Sequence, residues 1–319
     1  MGPADADAPL AQGLPAAAER LWTELAPVWP GFSVELLPEI DSTNTELMRR
    51  ARAGRTEPLL LVAQRQTAGR GRLGRAWASA PGDSLTFSIG VPLAPVSWSG
   101  LSLVVGVALA DALDGLSGGA CAEPSAAAPV APAAPTAQPR LALKWPNDLW
   151  LCGGDRRTAD DRKLAGILIE TAVAALPPAD ATSAAAARQV IVGIGINLAA
   201  PPADGLSTPP AGLRERVPGA EAGAVLAQVV PPVMQALRAF ERTGFAPWQA
   251  RFAARDALHG RRVKLSDGRE GEARGVNAQG ELLVHTDRGM QTVSTSEISV
   301  RPAGAPAATA PASKLSSAP

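Results

Sequence analysis

Apolar runs bounded by glycine, proline and polar clusters divide the chain into short elements. After an Ala/Pro-rich start, a helical pattern covers Ala16 to Ala26, and Val34 to Leu37 reads as a first strand. Asp41-Ser42-Thr43-Asn44-Thr45-Glu46 then opens a helical stretch reaching Ala53, with Thr43 and Glu46 at the spacing of a capping box. Leu59 to Ala63 predicts a buried strand, Gly69 to Arg75 an Arg/Gly-rich loop, Ser84 to Val91 a strand, and Leu101 to Leu116 an apolar helix. Leu141 to Lys144, Lys163 to Val173 and Gln189 to Leu198 follow as strands. Helices are expected over Ala220 to Thr243 and Pro247 to Ala257, the first interrupted near Pro231-Pro232 because proline removes a backbone donor.

The pattern changes after His259. Arg262 to Leu265, Glu270 to Val276, Glu281 to Thr286, Met290 to Val293 and Ile298 to Arg301 are short strands, with Asp267-Gly268 and Gln279-Gly280 at turns. Such a series predicts a small β-barrel. The expected plan is a loose segment 1–33 with a short helix, an α/β domain over 34–257, a β domain over 258–301 and a disordered tail 302–319. Segments 118–140 and 174–188 are rich in Ala and Pro and read as flexible insertions, because they bury too little side chain to offset ordering entropy.

Composition narrows the function. Hydrophobic residues make up 46% of the 319, enough for a sizeable core, and the formal net charge is zero. A neutral chain argues against generic nucleic-acid binding. Two cysteines, Cys121 and Cys152, form no disulfide framework, so a reducing cytoplasm is expected. His259 and His285 are too few for a histidine-rich metal site. No signal peptide and no membrane-spanning run is expected. Lysine occurs only at 144, 163, 264 and 314, so a lysine inside a motif stands out.

Five segments carry candidate chemistry. Gln66-Thr67-Ala68-Gly69-Arg70-Gly71-Arg72-Leu73-Gly74-Arg75-Ala76-Trp77 alternates glycines with arginines. Glycine admits close backbone approach, and successive N–H groups with arginine forks suit phosphate oxygens. The spacing is neither a P-loop nor a dinucleotide fingerprint, and an exposed loop that binds RNA or nothing also fits. Lys144-Trp145-Pro146-Asn147-Asp148 offers a cation, an amide and a hard oxygen ligand for Mg²⁺, or a structural turn with Trp145 packed. Lys163 opens an apolar strand, where a charge needs an anionic partner, and Gly166 leaves room beside it; a lysine at a solvated strand end is the plainer reading. In Gly193-Ile194-Gly195-Ile196-Asn197 the alternate glycines signal close approach of a ligand or of another backbone. Asp41-Ser42-Thr43-Asn44 combines a helix start with adjacent hydroxyls that suit a polar heterocycle.

In their order these blocks resemble the biotin–protein ligase family from about residue 34 to 301. The resemblance implies an α/β (α+β) fold, with a mixed central sheet and flanking helices, followed by an SH3-like barrel. It implies that Ser42, Thr43, Gln66, Gly69, Arg70, Arg72, Lys163 and Gly166 hold biotin. Arg70, Arg72, Arg75, Trp77, Lys144, Asn147, Asp148, Asn197 and Arg301 would serve ATP, Asp148 would hold Mg²⁺, and Lys163 with Arg72 would be the catalytic cations. The implied reaction joins biotin to AMP and passes it to a lysine of the biotin carboxyl carrier protein of acetyl-CoA carboxylase. The larger members carry an N-terminal helix-turn-helix; the few residues before the first strand imply a ligase without operator binding, monomeric or weakly dimeric. A lipoate- or octanoate-transferring relative fits the Arg/Gly and Lys-Trp-Pro-Asn-Asp blocks less well. An RNA-binding protein would need more basic surface than this chain has.

Overall fold

The computed structural model describes residues 13–117, 139–153, 161–173, 187–204, 206, 208–294 and 300–302, without the side chain of residue 301. Residues 303–319 of the expected disordered tail and most of both Ala/Pro insertions lie outside these residues, whereas Pro302, expected to open the tail, ends a strand.

Helix α1 (Leu14–Leu25) starts at a proline turn and buries Ala17, Leu21 and Leu25. Strand β1 (Ser33–Ile40), helix α2 (Thr43–Arg52) and strand β2 (Leu59–Gln66) form a crossover, with β1 and β2 parallel. Strand β3 (Ser84–Leu93) leads to helix α3 (Leu101–Gly115), which is buried on nearly every side. Strands β4 (Arg140–Lys144) and β5 (Asp148–Cys152) make a hairpin whose Trp145–Pro146 peptide is cis. Strands β6 (Arg162–Val173) and β7 (Arg188–Asn197) complete a mixed sheet of order β1-β2-β3-β7-β6-β5-β4. Helices α4 (Ala222–Thr243) and α5 (Gln249–Arg255) follow. Strands β8 (Arg262–Leu265), β9 (Glu270–Val276), β10 (Leu282–Thr286), β11 (Gly289–Val293) and β12 (Val300–Pro302) form an antiparallel sheet, with β12 returning to pair with β8.

Three expectations need correction. Helix α4 runs unbroken through Pro231 and Pro232. An interior proline costs about 3 kcal/mol, but this stretch buries Val229, Val230, Val233, Met234 and Leu237 completely. At about 1.5–3 kcal/mol per buried side chain, that packing wins. The cap of α2 is Ser42, whose Oγ accepts from Thr45 N–H at 3.4 Å, so the box predicted from Thr43 and Glu46 is absent. Glu46 instead pairs with Arg49 and Arg50. Strand β5 was not anticipated, because it is fully apolar after Asp148 and too short to show a period.

Helices α1, α3 and α4 lie on one face of the large sheet, and α2 lies on the other. One apolar cluster runs from α1 through Phe87, Ile194 and Phe240 to Val263 and Val284 of the small sheet. The two sheets are also joined by Trp145, whose Nε1 donates to Gly280 O at 3.1 Å. Trp145 therefore packs, with no exposed surface for stacking on a ligand. No helix among the described residues is long and apolar enough to cross a membrane.

Candidate functional site

The site lies on the α2 face of strands β3, β7 and β6. Strand alternation puts Leu85, Phe87 and Ile89 into the main core, so Thr86 and Ser88 face the other way. Register then builds a row of small residues: Asp148, Gly166, Gly195, Thr86 and Ala63 stand side by side on β5, β6, β7, β3 and β2. The next row holds Leu168, Gly193 and Ser88. The Gly166–Gly195 pair clears space for something laid flat on the sheet. A Cβ on Gly195 would sit 2.4 Å from Trp77 Cε2, and one on Gly166 would sit 3.2 Å from Trp77 Cζ3. The indole thus roofs this row, and its buried Nε1 has no partner among the described residues.

Cations collect at the β5 end. Leu149 pairs with Ala165 but Trp150 pairs with Lys163, so Leu164 is an extra residue in β6. This bulge sends both Leu164 and Ala165 into the core and brings Lys163 to the Gly166 side, where the two are in contact. Lys163 Nζ lies 2.7 Å from Asp148 Oδ1, and Lys144 Nζ lies 3.6 Å from Asp148 Oδ2. Lys163 also stands 5.6 Å from the centre of the Trp77 ring. Burial works against the Asp148 charge, but Lys163 and Lys144 outweigh it and hold the carboxyl below its ordinary value. Burial lowers the Lys144 pKa; Asp148 opposes this, while Lys163 and Arg75 add to it. Burial likewise lowers the Arg72 pKa, against Asp148 and with Arg75. Lys144, Lys163, Arg72 and Arg75 therefore surround a single carboxylate. Such a pocket favours an added polyanion.

The 69–77 loop closes on itself. Trp77 N donates to Gly69 O at 2.9 Å, Gly71 N donates to Arg75 O at 2.7 Å, and Arg70 bridges Ala76. Gly69 is required there: a Cβ would fall 2.5 Å from Trp77 O. Leu73 at the tip has φ 56° and is exposed. At the start of the loop, Gln66 Oε1 accepts from Thr43 N at 2.8 Å and contacts Thr43 Oγ1 at 3.1 Å. Ser88 Oγ lies 2.7 Å from both Thr43 Oγ1 and Asn44 Oδ1. Three oxygen–oxygen contacts here share the two hydroxyl protons of Thr43 and Ser88, so the buried network has room for one more donor.

Residues 36–197 match the biotin/lipoate A/B protein ligase family, and residues 258–301 match the biotin protein ligase C-terminal domain. The chain is 33% identical over 284 residues to the bifunctional ligase/repressor BirA of Escherichia coli, covering 86% of this chain and 75% of the relative. This chain belongs to the biotin protein ligase family. It is 31% identical to the biotin--[acetyl-CoA-carboxylase] ligase of Paracoccus denitrificans, covering 82% of this chain and 98% of the relative. A solved biotin protein ligase from Aquifex aeolicus, in complex with biotin and ATP, superposes with TM-score 0.62 at 26% identity, over 84% of this chain and 98% of that one.

Against that family membership the expected residues sort by position. Ser42, Thr43, Gln66 and Gly69 gather at one end of the trough, and Arg72, Arg75, Lys144, Asp148 and Lys163 at the other, with Gly166 and Trp77 between. Asn147 and Asn197 are used by the backbone: Asn147 Nδ2 donates to Ile167 O at 2.8 Å, and Asn197 Nδ2 to Lys163 O at 3.2 Å. Arg70 turns to Glu170, and the side chain of Arg301 lies outside the described residues. Asp148 does not fit the expected Mg²⁺ site, since each of its oxygens already faces a lysine. The described residues also hold no group of three or more His, Cys, Asp or Glu able to bind a metal. Sequence reasoning gave Asn44, Ser88 and Glu170 no role, although the polar positions 86 and 88 inside an apolar strand were a signal.

Proposed function

We propose that this chain activates biotin with ATP as biotinyl-5'-AMP and transfers the biotinyl group to a lysine of the carboxyl carrier protein of acetyl-CoA carboxylase. The observation that carries the reading is the pocket in which Lys144, Lys163, Arg72 and Arg75 surround Asp148 at the end of a glycine-floored trough. A carboxylate attacking a triphosphate meets like-charge repulsion, and preorganised cations in a dry site offset it.

The ring of biotin lies at the Thr43–Gln66 end, where its N–H groups supply the donor that the buried hydroxyl network lacks. The Trp77 indole lies directly on Gly166 and Gly195, so it lifts for the biotin chain to run over them. The carboxylate reaches Lys163, and one of its oxygens attacks the α-phosphorus as pyrophosphate leaves with the bond electrons. Lys163 holds both anions in contact. An unprotonated carrier lysine then attacks the acyl carbon, an amide forms, AMP departs and the nitrogen releases a proton. Mg²⁺ would be held by the phosphate oxygens of the nucleotide rather than by Asp148, and would neutralise part of their charge. The buried, unpaired Cys152, its thiol pushed up to about 12 by burial, fits a reducing cytoplasm and has no place in the chemistry.

The test is to incubate the protein with MgATP, an apo carrier domain and either biotin or lipoate, and weigh the carrier. A mass gain with biotin alone is expected. A gain with lipoate alone would move the protein to the sister branch, and no gain from folded protein would overturn the reading.

A further inference from the structure

A continuous polar chain joins the start of the 69–77 loop to its flank. Gln66 contacts Thr43, Thr43 contacts Ser88, and Ser88 contacts Asn44 Oδ1. Asn44 Nδ2 donates to Glu170 Oε2 at 2.9 Å and to Leu168 O at 3.3 Å. Glu170 Oε1 lies 3.2 Å from Arg70 Nη2, and Arg70 Nη1 donates to Thr45 Oγ1 at 3.1 Å. Granted the ligase reading, we infer that Glu170 and Asn44 are positioning residues that hold Arg70, and with it the loop, over the biotinyl-adenylate.

The parts support this assignment in sequence. Asn44 is 3% exposed, both its amide protons are used and its Oδ1 contacts Ser88 Oγ, so its orientation is fixed. Glycine at 193 is what admits it: a Cβ there would fall 2.2 Å from Asn44 Oδ1. Asn44 in turn pins one oxygen of Glu170, whose neighbours across the sheet are Ile191 on β7 and, beyond it, Gly90 on β3. Neither of these partners the carboxylate, which leaves its second oxygen aimed at Arg70. Arg70 is a further positive charge on the loop that carries Arg72 and Arg75, and Glu170 neutralises it away from the cation pocket. Both acceptors of Arg70, on α2 and β6, are attached to the same rigid network that lines the Thr43–Gln66 end. Filling that end with a ring donor therefore stiffens the chain that ends on the clasp. The intermediate is a mixed anhydride that water destroys, so a loop held shut has a chemical purpose.

The test uses Glu170→Gln, which keeps the shape and the Asn44 bond but removes the charge. Radiolabelled biotinyl-adenylate is formed on the full-length protein, its release is followed after dilution, and thermal melting is recorded alongside. The variant should release adenylate about five-fold faster, the scale of roughly 1 kcal/mol for a half-exposed ion pair. Its saturated ATP–pyrophosphate exchange should stay within about two-fold of wild type. Thr45→Val, which removes the second acceptor of Arg70 and leaves Glu170 intact, should quicken release in the same direction. Release should couple in a Glu170→Gln/Arg70→Ala double-mutant cycle. Release at the wild-type rate in both single variants, or additive behaviour in the cycle, overturns the inference. A melting temperature that falls with no change in release does the same, since that is a merely structural role. A wild-type protein that forms no adenylate would be a failure of the ligase reading, not of the clasp.

Discussion

The two faces of strands β3, β7 and β6 come from the same residues read alternately, yet they do opposite work. The face toward α3 and α4 carries Phe87, Ile89, Ile194, Ile196 and Ile167, all in the main apolar cluster. The face toward α2 carries Thr86, Ser88, Gly193, Gly195 and Gly166, small or polar positions that leave a trough. A side chain added to the first face meets core, and one added to the second meets Trp77 or Asn44. The period of two lets one strand hold the fold and present the ligand floor at adjacent residues. Stability and function should therefore separate at neighbouring positions.

Breaking the core face should have the largest effect. Phe87→Ala removes a fully buried ring and should lower unfolding free energy by about 3–5 kcal/mol in urea melts, with biotin affinity of the folded fraction little changed. Affinity lost in step with stability would mean the faces are not separable. Gly195→Val, on the opposite face, should show the reverse. The new side chain must expel the Trp77 indole, at about 1–3 kcal/mol for overpacking, and calorimetry should find biotin binding weakened by about ten-fold or more. Normal binding with Trp77 displaced would remove the roof from the account.

The smallest effect sharpens the electrostatic end. Lys144 has its pKa lowered from 10.5, chiefly by burial. The ammonium is the form that attracts phosphate, so ATP affinity should decline as pH rises through a value below 10.5. Stability moves the opposite way: in that window the unfolded chain holds the proton that the folded chain has given up, so folding is strengthened as pH rises while ATP affinity falls. Titrations of ATP from neutral to alkaline pH should show this limb, and Lys144→Arg, which stays charged, should shift it upward. An unmoved limb would assign it elsewhere.

Much of the site was legible because its blocks are local in sequence. The Arg/Gly loop, the Lys144–Asp148 turn, Lys163 and the glycine strand were each visible, and strand register places them together. What stayed hidden depends on long-range partners. Asn147 and Asn197 each donate through Nδ2 to a backbone carbonyl, Ile167 O and Lys163 O, contacts that no local pattern encodes. The bulge at Leu164, which aims Lys163, is a property of pairing with β5, itself too short and apolar to recognise. Ser88 and Glu170 are far from Asn44 in sequence and meet it only across the folded sheet. Propensity failed at Pro231-Pro232 for the same reason: buried packing along α4 overrides the missing donors.

The most direct test of the cation pocket is biotin-dependent ATP–pyrophosphate exchange in wild type and Lys163→Ala. Wild-type exchange that requires biotin, reduced by about 10²–10³-fold in a variant that still folds, is the predicted result. Exchange that survives the loss of Lys163 would contradict the account.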